Sequence, residues 1–339
     1  MPGKNRLSFP SGKKWVFFRL SSLGDIVLAT GVLDYLALEH NLDISVVTRT
    51  AFMPVFENNP HIKNVYGISE PELVKSAWKT TCLKIIRTFP EHGLVDLHGS
   101  LRSMKLRRLW PGDVLSYPKL NLKRRLYRYM KDPWSGKVLR AMNVPQRYFS
   151  AFTTPPAAKL LRPNIYLRPK EMDFARKTIN QLAIKPPFVC IHPYATHKAK
   201  AWPADKWTDF IALLDKKGVD WLILGQNPSR LIDDNPRDLT SRTSLRETSA
   251  LIAQSCHLVT ADSGPMHVGT AVKTPVTALF GPTSREWGFF PSGEKDTAIH
   301  LNKPCSPCTL HGRATCRRGL QCMNDITPQM VMRSIEKTL

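Results

Sequence analysis

The sequence is poor in acid. Its 339 residues hold 27 Asp and Glu against 49 Lys and Arg, a formal net charge of +22. An imbalance of this size bears on partners rather than on fold, and it favours an anionic ligand or surface. Long apolar runs are also missing: nothing approaches the roughly 18 residues of a membrane span, and Met1 to Lys14 has no apolar core of the kind a secretory signal uses. The expected location is therefore cytoplasmic. No GxGxxG follows the first expected strand, and GxSxG, HExxH and P-loop patterns are absent, so dinucleotide oxidoreductase chemistry and the reactions those motifs serve lack support. What is present is 42% apolar residues on a chain long enough for two cores of about 150 residues each. Seven cysteines in a cytoplasmic chain point to free thiols or a metal rather than to disulfides.

Periodicity organises the chain around Val259 to Thr283. His257 to Thr260 reads as a buried strand, Asp262-Ser263-Gly264-Pro265 as a turn, Met266 to Val272 as a short helix and Val276 to Phe280 as the next strand. Unpaired amides and the dipole at the start of that helix suit a phosphate, with Gly264 allowing close approach and Ser263 either capping the helix or touching a ligand. An ordinary strand-to-helix crossover is the other reading. In the N-terminal half, Trp15 to Leu20 is a strand, Ser21 to Asp25 a tight turn and Ile26 to His40 a helix, which puts Asp25 at the carboxyl edge of a sheet, where it serves either as an N-cap or as a catalytic group. Further strands are expected at Ile44 to Thr48, Asn64 to Ile68, Leu94 to Leu97 and Val114 to Tyr117, with helices near Met53 to Glu57, Glu72 to Phe89 and Leu101 to Leu109. His98, leaving the fourth strand, reads as a satisfied strand-end histidine. A Pro-rich stretch around Pro155 to Pro169 reads as a linker, dividing the chain into domains 1–160 and 161–339. Beyond it come a helix near Lys170 to Leu182, strands at Phe188 to His192 and Trp221 to Leu224, and helices at Ala204 to Lys216 and Leu245 to Ala253. Alternation of this kind means an α/β fold of doubly wound parallel sheets.

Positive charge is concentrated. From Leu101 to Lys131 there are ten Lys or Arg residues and one acid, Asp113, and the run continues with Tyr127, Tyr129 and Trp134 interleaved. A solvated face, an anionic membrane, a phosphorylated glycolipid and nucleic acid all fit this pattern.

The ordered segments RLSSLGDIVLAT, DLHGSLRS, KAWP, ADSGPMHVGTA and LFGPT resemble those of the glycosyltransferase family that contains the ADP-heptose:lipopolysaccharide heptosyltransferases, over the chain from about Trp15 onward. The resemblance implies two facing Rossmann-like domains of the GT-B type, the first binding acceptor and the second nucleotide sugar. It implies inverting heptosyl transfer from ADP-heptose or a related nucleotide sugar to an anionic lipid A/Kdo-type acceptor in the inner core, at the cytoplasmic face of the inner membrane. Asp25 is then the general base and Lys200 the counter-charge of the departing diphosphate. Ser22, Gly24, Arg102, Thr196, Asp262, Ser263, Gly264 and His267 become substrate-binding residues, although His267 also fits a packing role against the sheet. No cofactor is implied, and with no DxD-type carboxylate pair in evidence a metal need not carry the leaving group. The alternatives are transfer from another nucleotide sugar or to a protein acceptor and, outside enzymes, nucleic-acid binding, which does not require strand-turn-helix motifs at two sheet edges. One departure concerns the nucleoside: many relatives carry an acid soon after the glycine equivalent to Gly225, whereas here Gln226 to Arg230 follow. Finally, Cys305, Cys308, Cys316 and Cys322 lie within eighteen residues. The first pair has metal-ligand spacing and the second does not, so both a bound metal and reduced structural thiols stay open.

Overall fold

The computed structural model describes residues 13–310, 312 and 316–339, so most of the Met1 to Lys14 stretch lies outside the described residues. The chain divides into two compact units, Met1–Lys119 with Val144–Tyr166, and Leu120–Asn143 with Leu167–Leu339. A single cut at residue 160 misses this exchange. The reason is local: Tyr127 donates its hydroxyl to Glu286 Oε1 (2.9 Å) and Lys131 Nζ donates to the Pro307 carbonyl (3.1 Å), which ties the segment 120–143 to C-terminal residues.

In the first unit, β1 (Lys14–Phe18), β2 (Asp43–Arg49), β3 (Asn64–Ile68), β4 (Gly93–Asp96) and β5 (Val114–Ser116) form an all-parallel sheet in the order β3-β2-β1-β4-β5. Trp15, Val16, Phe17 and Phe18 are all buried, as expected of a strand covered on both faces. Val16 and Phe18 enter a core with Trp78, Cys82 and Ile85 of α2 (Trp78–Thr88), whose α1 predecessor is Leu23–His40, and with Leu106 of α3 (Leu101–Leu109). Trp15 and Phe17 point the other way, onto Phe152. The next helices, α4 (Asn121–Met130) and α5 (Pro133–Arg140), belong to the second unit, and α6 (Val144–Phe149) returns to the first.

The helix expected at Met53 to Glu57 is instead a 3-10 turn, Thr50–Val55, because Pro54 has no amide for an α ladder. The long helix expected from Glu72 begins only at Trp78, since Val74 is extended (ψ 152°) and separates it from a short turn at Pro71–Leu73.

The second unit repeats the design. β6 (Phe188–His192), β7 (Asp220–Ile223), β8 (His257–Ala261), β9 (Val276–Phe280) and β10 (Thr297–His300) are parallel in the order β10-β9-β8-β6-β7. Its helices are α7 (Pro169–Gln181), α8 (Ala204–Lys216), α9 (Leu245–Gln254), α10 (Gly264–Ala271), α11 (Gln321–Asn324) and α12 (Pro328–Ile335). Trp207, Phe210, Ile211 and Leu214 of α8 share one core with Val331, Met332 and Ile335 of α12 over the sheet. In each unit the first strand has its successor on one side and a later strand on the other. The order reverses there, between β1 and β4 and between β6 and β8, and the carboxyl ends of such strand pairs are where open α/β sheets receive ligands.

Candidate active site

Each reversal point carries a polar cluster. At the first, Arg19 directly follows β1 and Asp25 is the third residue of α1. Arg19 Nη2 lies 2.6 Å from Asp25 Oδ2, with both side chains largely buried, and Arg19 Nη1 donates to the carbonyl of Leu97, directly after β4. The backbone amide (3.2 Å) and hydroxyl (2.9 Å) of Ser22 donate to Asp25 Oδ2, and the Tyr148 hydroxyl donates to Oδ1 (2.8 Å). Burial alone raises the Asp25 carboxyl's affinity for its proton, but the Arg19 cation, the Tyr148 hydroxyl and the two Ser22 donors outweigh it and hold the pKa below the usual range. Asp25 is therefore ionised, and it both caps the helix, reciprocally with Ser22, and anchors a buried cation. The alternative roles of cap and catalytic group are not exclusive. Among the contacts described, Oδ1 accepts from one neutral donor, whereas Oδ2 meets the Arg19 cation and both Ser22 donors.

His98 lies beside this cluster. Burial, then the Arg19 and Lys119 cations, push its pKa down to about 4, so it is neutral at working pH. Its buried Nδ1 has no hydrogen-bond partner among the described residues, contrary to the expectation of a satisfied histidine. Gly24 is buried in the first turn of α1. Arg102 is exposed on the first turn of α3, where its carbonyl accepts from Trp78 Nε1 (3.0 Å).

At the second reversal point, Lys200 ends a 3-10 turn, Lys198–Lys200, and its Nζ is 2.7 Å from Asp262 Oδ2, which also accepts from the Thr283 hydroxyl (2.6 Å). Asp262 leaves β8, and Ser263 occupies the N-cap position of α10 without a side-chain bond to the helix amides. Its hydroxyl turns back instead, 3.3 Å from the Ala261 carbonyl and 3.4 Å from His192 Nδ1 at the end of β6. The first turn of α10, with Gly264 at its start and Pro265 next, therefore receives no side-chain cap from Ser263. Burial lowers the His192 pKa to about 4. Gly225, at φ 141°, is needed here, because a Cβ on it would stand 2.7 Å from Tyr194 Cδ2 and 2.9 Å from His192 Cδ2. His267 is buried one turn into α10, its ring 6.3 Å from that of Phe289, and Thr196 is exposed in the loop before Lys198.

Motif reasoning missed Arg19, Tyr148, His192 and Thr283. Arg19 stands inside the first quoted segment and Thr283 ends the last, so both were open to notice. Tyr148 lies in a six-residue helix about 120 positions from Asp25, where periodicity carries no signal. The four clustered cysteines line one cavity of about 70 Å³ with Pro282 and Lys303. Among the described residues no group of three or more His, Cys, Asp or Glu has the geometry to hold a metal ion.

Two doubly wound parallel sheets, each with a polar cluster at the carboxyl ends of the strands where its order reverses, define the GT-B class of glycosyltransferase folds. Within that class the chain belongs to glycosyltransferase family 9 (heptosyltransferase), whose family model matches residues 119–316. It is similar to lipopolysaccharide heptosyltransferase 3 of Escherichia coli (strain K12), 32% identical over 120 residues that make up 32% of this chain and 35% of that one. The alignments with the first curated relatives span about a third to a half of those proteins' lengths. Among solved structures, a glycosyl transferase family 9 protein from Veillonella parvula superposes with a TM-score of 0.72 at 18% identity, covering 97% of both chains. E. coli ADP-heptose lps heptosyltransferase II superposes with a TM-score of 0.69 at 21% identity, covering 96% of this chain and 98% of that one.

Proposed function

We propose that this chain transfers heptose from ADP-heptose to an inner-core lipopolysaccharide acceptor, by inversion and without a metal ion, at the cytoplasmic face of a membrane. The observation that carries the reading is the pair of reversal-point clusters in a family 9 chain: a carboxylate on α1 in the first unit, and a lysine beside an open helix N-terminus in the second. The first unit binds acceptor and the second binds donor. Asp25 takes the proton of the acceptor hydroxyl through Oδ1 as that oxygen attacks the anomeric carbon. Tyr148 gives up its bond as the acceptor enters.

Lys200 meets the diphosphate. Its ammonium has three N–H groups, one of which is directed at Asp262, leaving the others for phosphate oxygens while the ion pair stays in place. The α10 amides after Ser263 add further stabilisation of the leaving group, and negative charge developing on it is where such donors act most strongly. Asp262, fixed by Lys200 and Thr283, presents its remaining lone pairs to sugar hydroxyls. Ser22, Gly24 and Arg102 line the acceptor side; Thr196, Gly264 and His267 complete the donor side.

The test is a mass measurement of truncated lipopolysaccharides incubated with protein and ADP-heptose. A product heavier by one heptosyl residue, formed far more slowly with Asp25→Asn, supports the reading, and no transfer to any truncated acceptor refutes it. A second reading, transfer from a different nucleotide sugar, is favoured at one place: the stretch after Gly225, where the family resemblance leads one to expect an acid, holds none from Gln226 to Arg230, and Gln226 donates to the Thr243 carbonyl (3.0 Å). Thermal shifts with ADP, UDP and GDP distinguish the two.

A further inference from the structure

The basic run from Leu101 to Lys131 does not act as one element, because Leu101 to Lys119 belongs to the first unit and α4 to the second. On α4 no residue is buried. Leu122, Leu126, Tyr129 and Met130, at spacings of 4, 7 and 8 from the first, fall on one helix face. Leu122 is 70% exposed, Tyr129 72% and Met130 70%, and Trp134, at the start of α5, is 62% exposed. Twelve large apolar side chains are markedly exposed among the described residues, and four of them lie within these thirteen positions, which makes a patch rather than scatter.

The opposite side of the hairpin is anchored. Tyr127 meets Glu286 and lies edge-on to Trp287, Lys131 reaches the Pro307 carbonyl, and Arg140 Nε is 3.2 Å from Glu286 Oε1. The apolar face therefore points away from the body of its unit. Lys123 borders it on one edge, and Arg125 and Arg128 on the other. Lys123 Nζ stands 3.3 Å from the centre of the Trp134 ring, and the Arg128 guanidinium carbon 4.0 Å from that of Tyr129. From Leu120 to Lys131 there are five basic residues and no acid.

We propose that α4 and the first turn of α5 form an interfacial helix pair that seats this protein on an anionic phospholipid bilayer, Leu122, Tyr129, Met130 and Trp134 entering the headgroup boundary, with half-buried Leu126 beneath them, while Lys123, Arg125 and Arg128 meet lipid phosphates. An apolar helix face flanked by cations and aromatics is the composition such surfaces use. Nucleic acid is the poorer occupant, since it offers Leu122, Leu126 and Met130 no apolar partner. A second copy is poorer too, since a two-fold contact here would set like charges against each other. The inference deepens the proposed function, resting on it for why a bilayer should be met. Vesicle binding is measured without donor or acceptor, however, so its failure is distinct from failure of the transfer reading.

The test is co-sedimentation of the full chain with vesicles of phosphatidylglycerol and phosphatidylcholine, and of phosphatidylcholine alone. The variants are Lys123→Gln/Arg125→Gln/Arg128→Gln and Leu122→Ser/Met130→Ser, each compared with the parent at a temperature well below its own melting transition, which is measured alongside. Expected are binding to the anionic vesicles only, weakening as salt rises, and a fall in partitioning of about 100-fold for the charge variant. A fall of about 10-fold or more is expected for the apolar variant. Equal binding to both vesicle types, or binding that survives either variant, overturns the proposal. So does salt-sensitive binding to RNA with no vesicle binding, or a dimer that the apolar variant dissolves while vesicles are ignored.

Discussion

Replacing Asp25 with Asn removes a charge from a buried network, and its consequences follow from the contacts. Asn keeps one acceptor oxygen for Tyr148 or Ser22, but Arg19, only 9% exposed, loses its counter-charge and retains the Leu97 carbonyl. Stranding one member of a buried ion pair costs about 3–5 kcal/mol, and the acceptors that remain put the expected loss near the lower end, about 3 kcal/mol. For a unit of this size that lowers the melting temperature by roughly 6–12 °C. The Asn variant is thus less stable than loss of a surface base alone would make it. Turnover at 20 °C, where the variant stays folded, is expected to fall about 100-fold or more, as for loss of a positioned base. Donor affinity by calorimetry is expected to hold, because the residues proposed to hold the donor belong to the other unit.

Acid adds a second readout. The folded pKa of Asp25 is depressed, burial being outweighed by Arg19, Tyr148 and Ser22, so its stabilisation is complete above the unfolded value of about 4 and is lost as pH falls through the lower folded value. The gap in melting temperature between parent and variant should therefore narrow on acidification. Turnover within a few-fold of the parent removes Asp25 from the base role, and a gap that does not change with pH refutes the ion-pair account.

Four further outcomes are expected. Tyr148→Phe deletes a donor to Asp25 Oδ1, so the Asp25 pKa rises and the acid limb of the kcat–pH profile moves upward; an unmoved limb would detach Tyr148 from the base. Lys200→Ala weakens ADP and ADP-heptose binding far more than acceptor binding, by calorimetry, and equal weakening would assign the lysine elsewhere. Gly225→Ala strains a φ of 141° and drives a Cβ onto Tyr194 and His192, so donor binding is lost while the first unit's melting transition stays in place, as calorimetric scanning can check. His98, His192 and His257 are each pushed down to about 4, chiefly by burial, so the unfolded chain takes up their protons first below about pH 6.5; stability should fall between pH 6.5 and 4 by up to about 1.4 kcal/mol per pH unit for each, and chemical denaturation that is flat over that window would contradict their burial.

Local pattern determined a good deal of this protein by itself. The largely apolar runs at Trp15 to Phe18, Phe188 to His192, His257 to Ala261 and Val276 to Phe280 suit a parallel strand covered on both faces, and the glycine-containing turns after the first and third place Asp25 and Ser263 at sheet edges. Alternation of strand and helix then leaves little freedom in fold class. Short elements escaped, among them β10, α6 and the 3-10 turn at Pro54, since a few residues carry no period.

The tertiary structure alone decided which distant side chains meet. Tyr148 reaches Asp25 across more than a hundred residues, Lys200 is found already paired with Asp262, and the segment 120–143 leaves its neighbours in sequence for Glu286 and Pro307. These contacts depend on where strand order reverses and on which core a helix joins, and so on packing of the whole chain rather than on any window of it. The same holds for α4: composition showed its charge, but only the buried partners of Tyr127 and Lys131 fix which face of the helix is left outward.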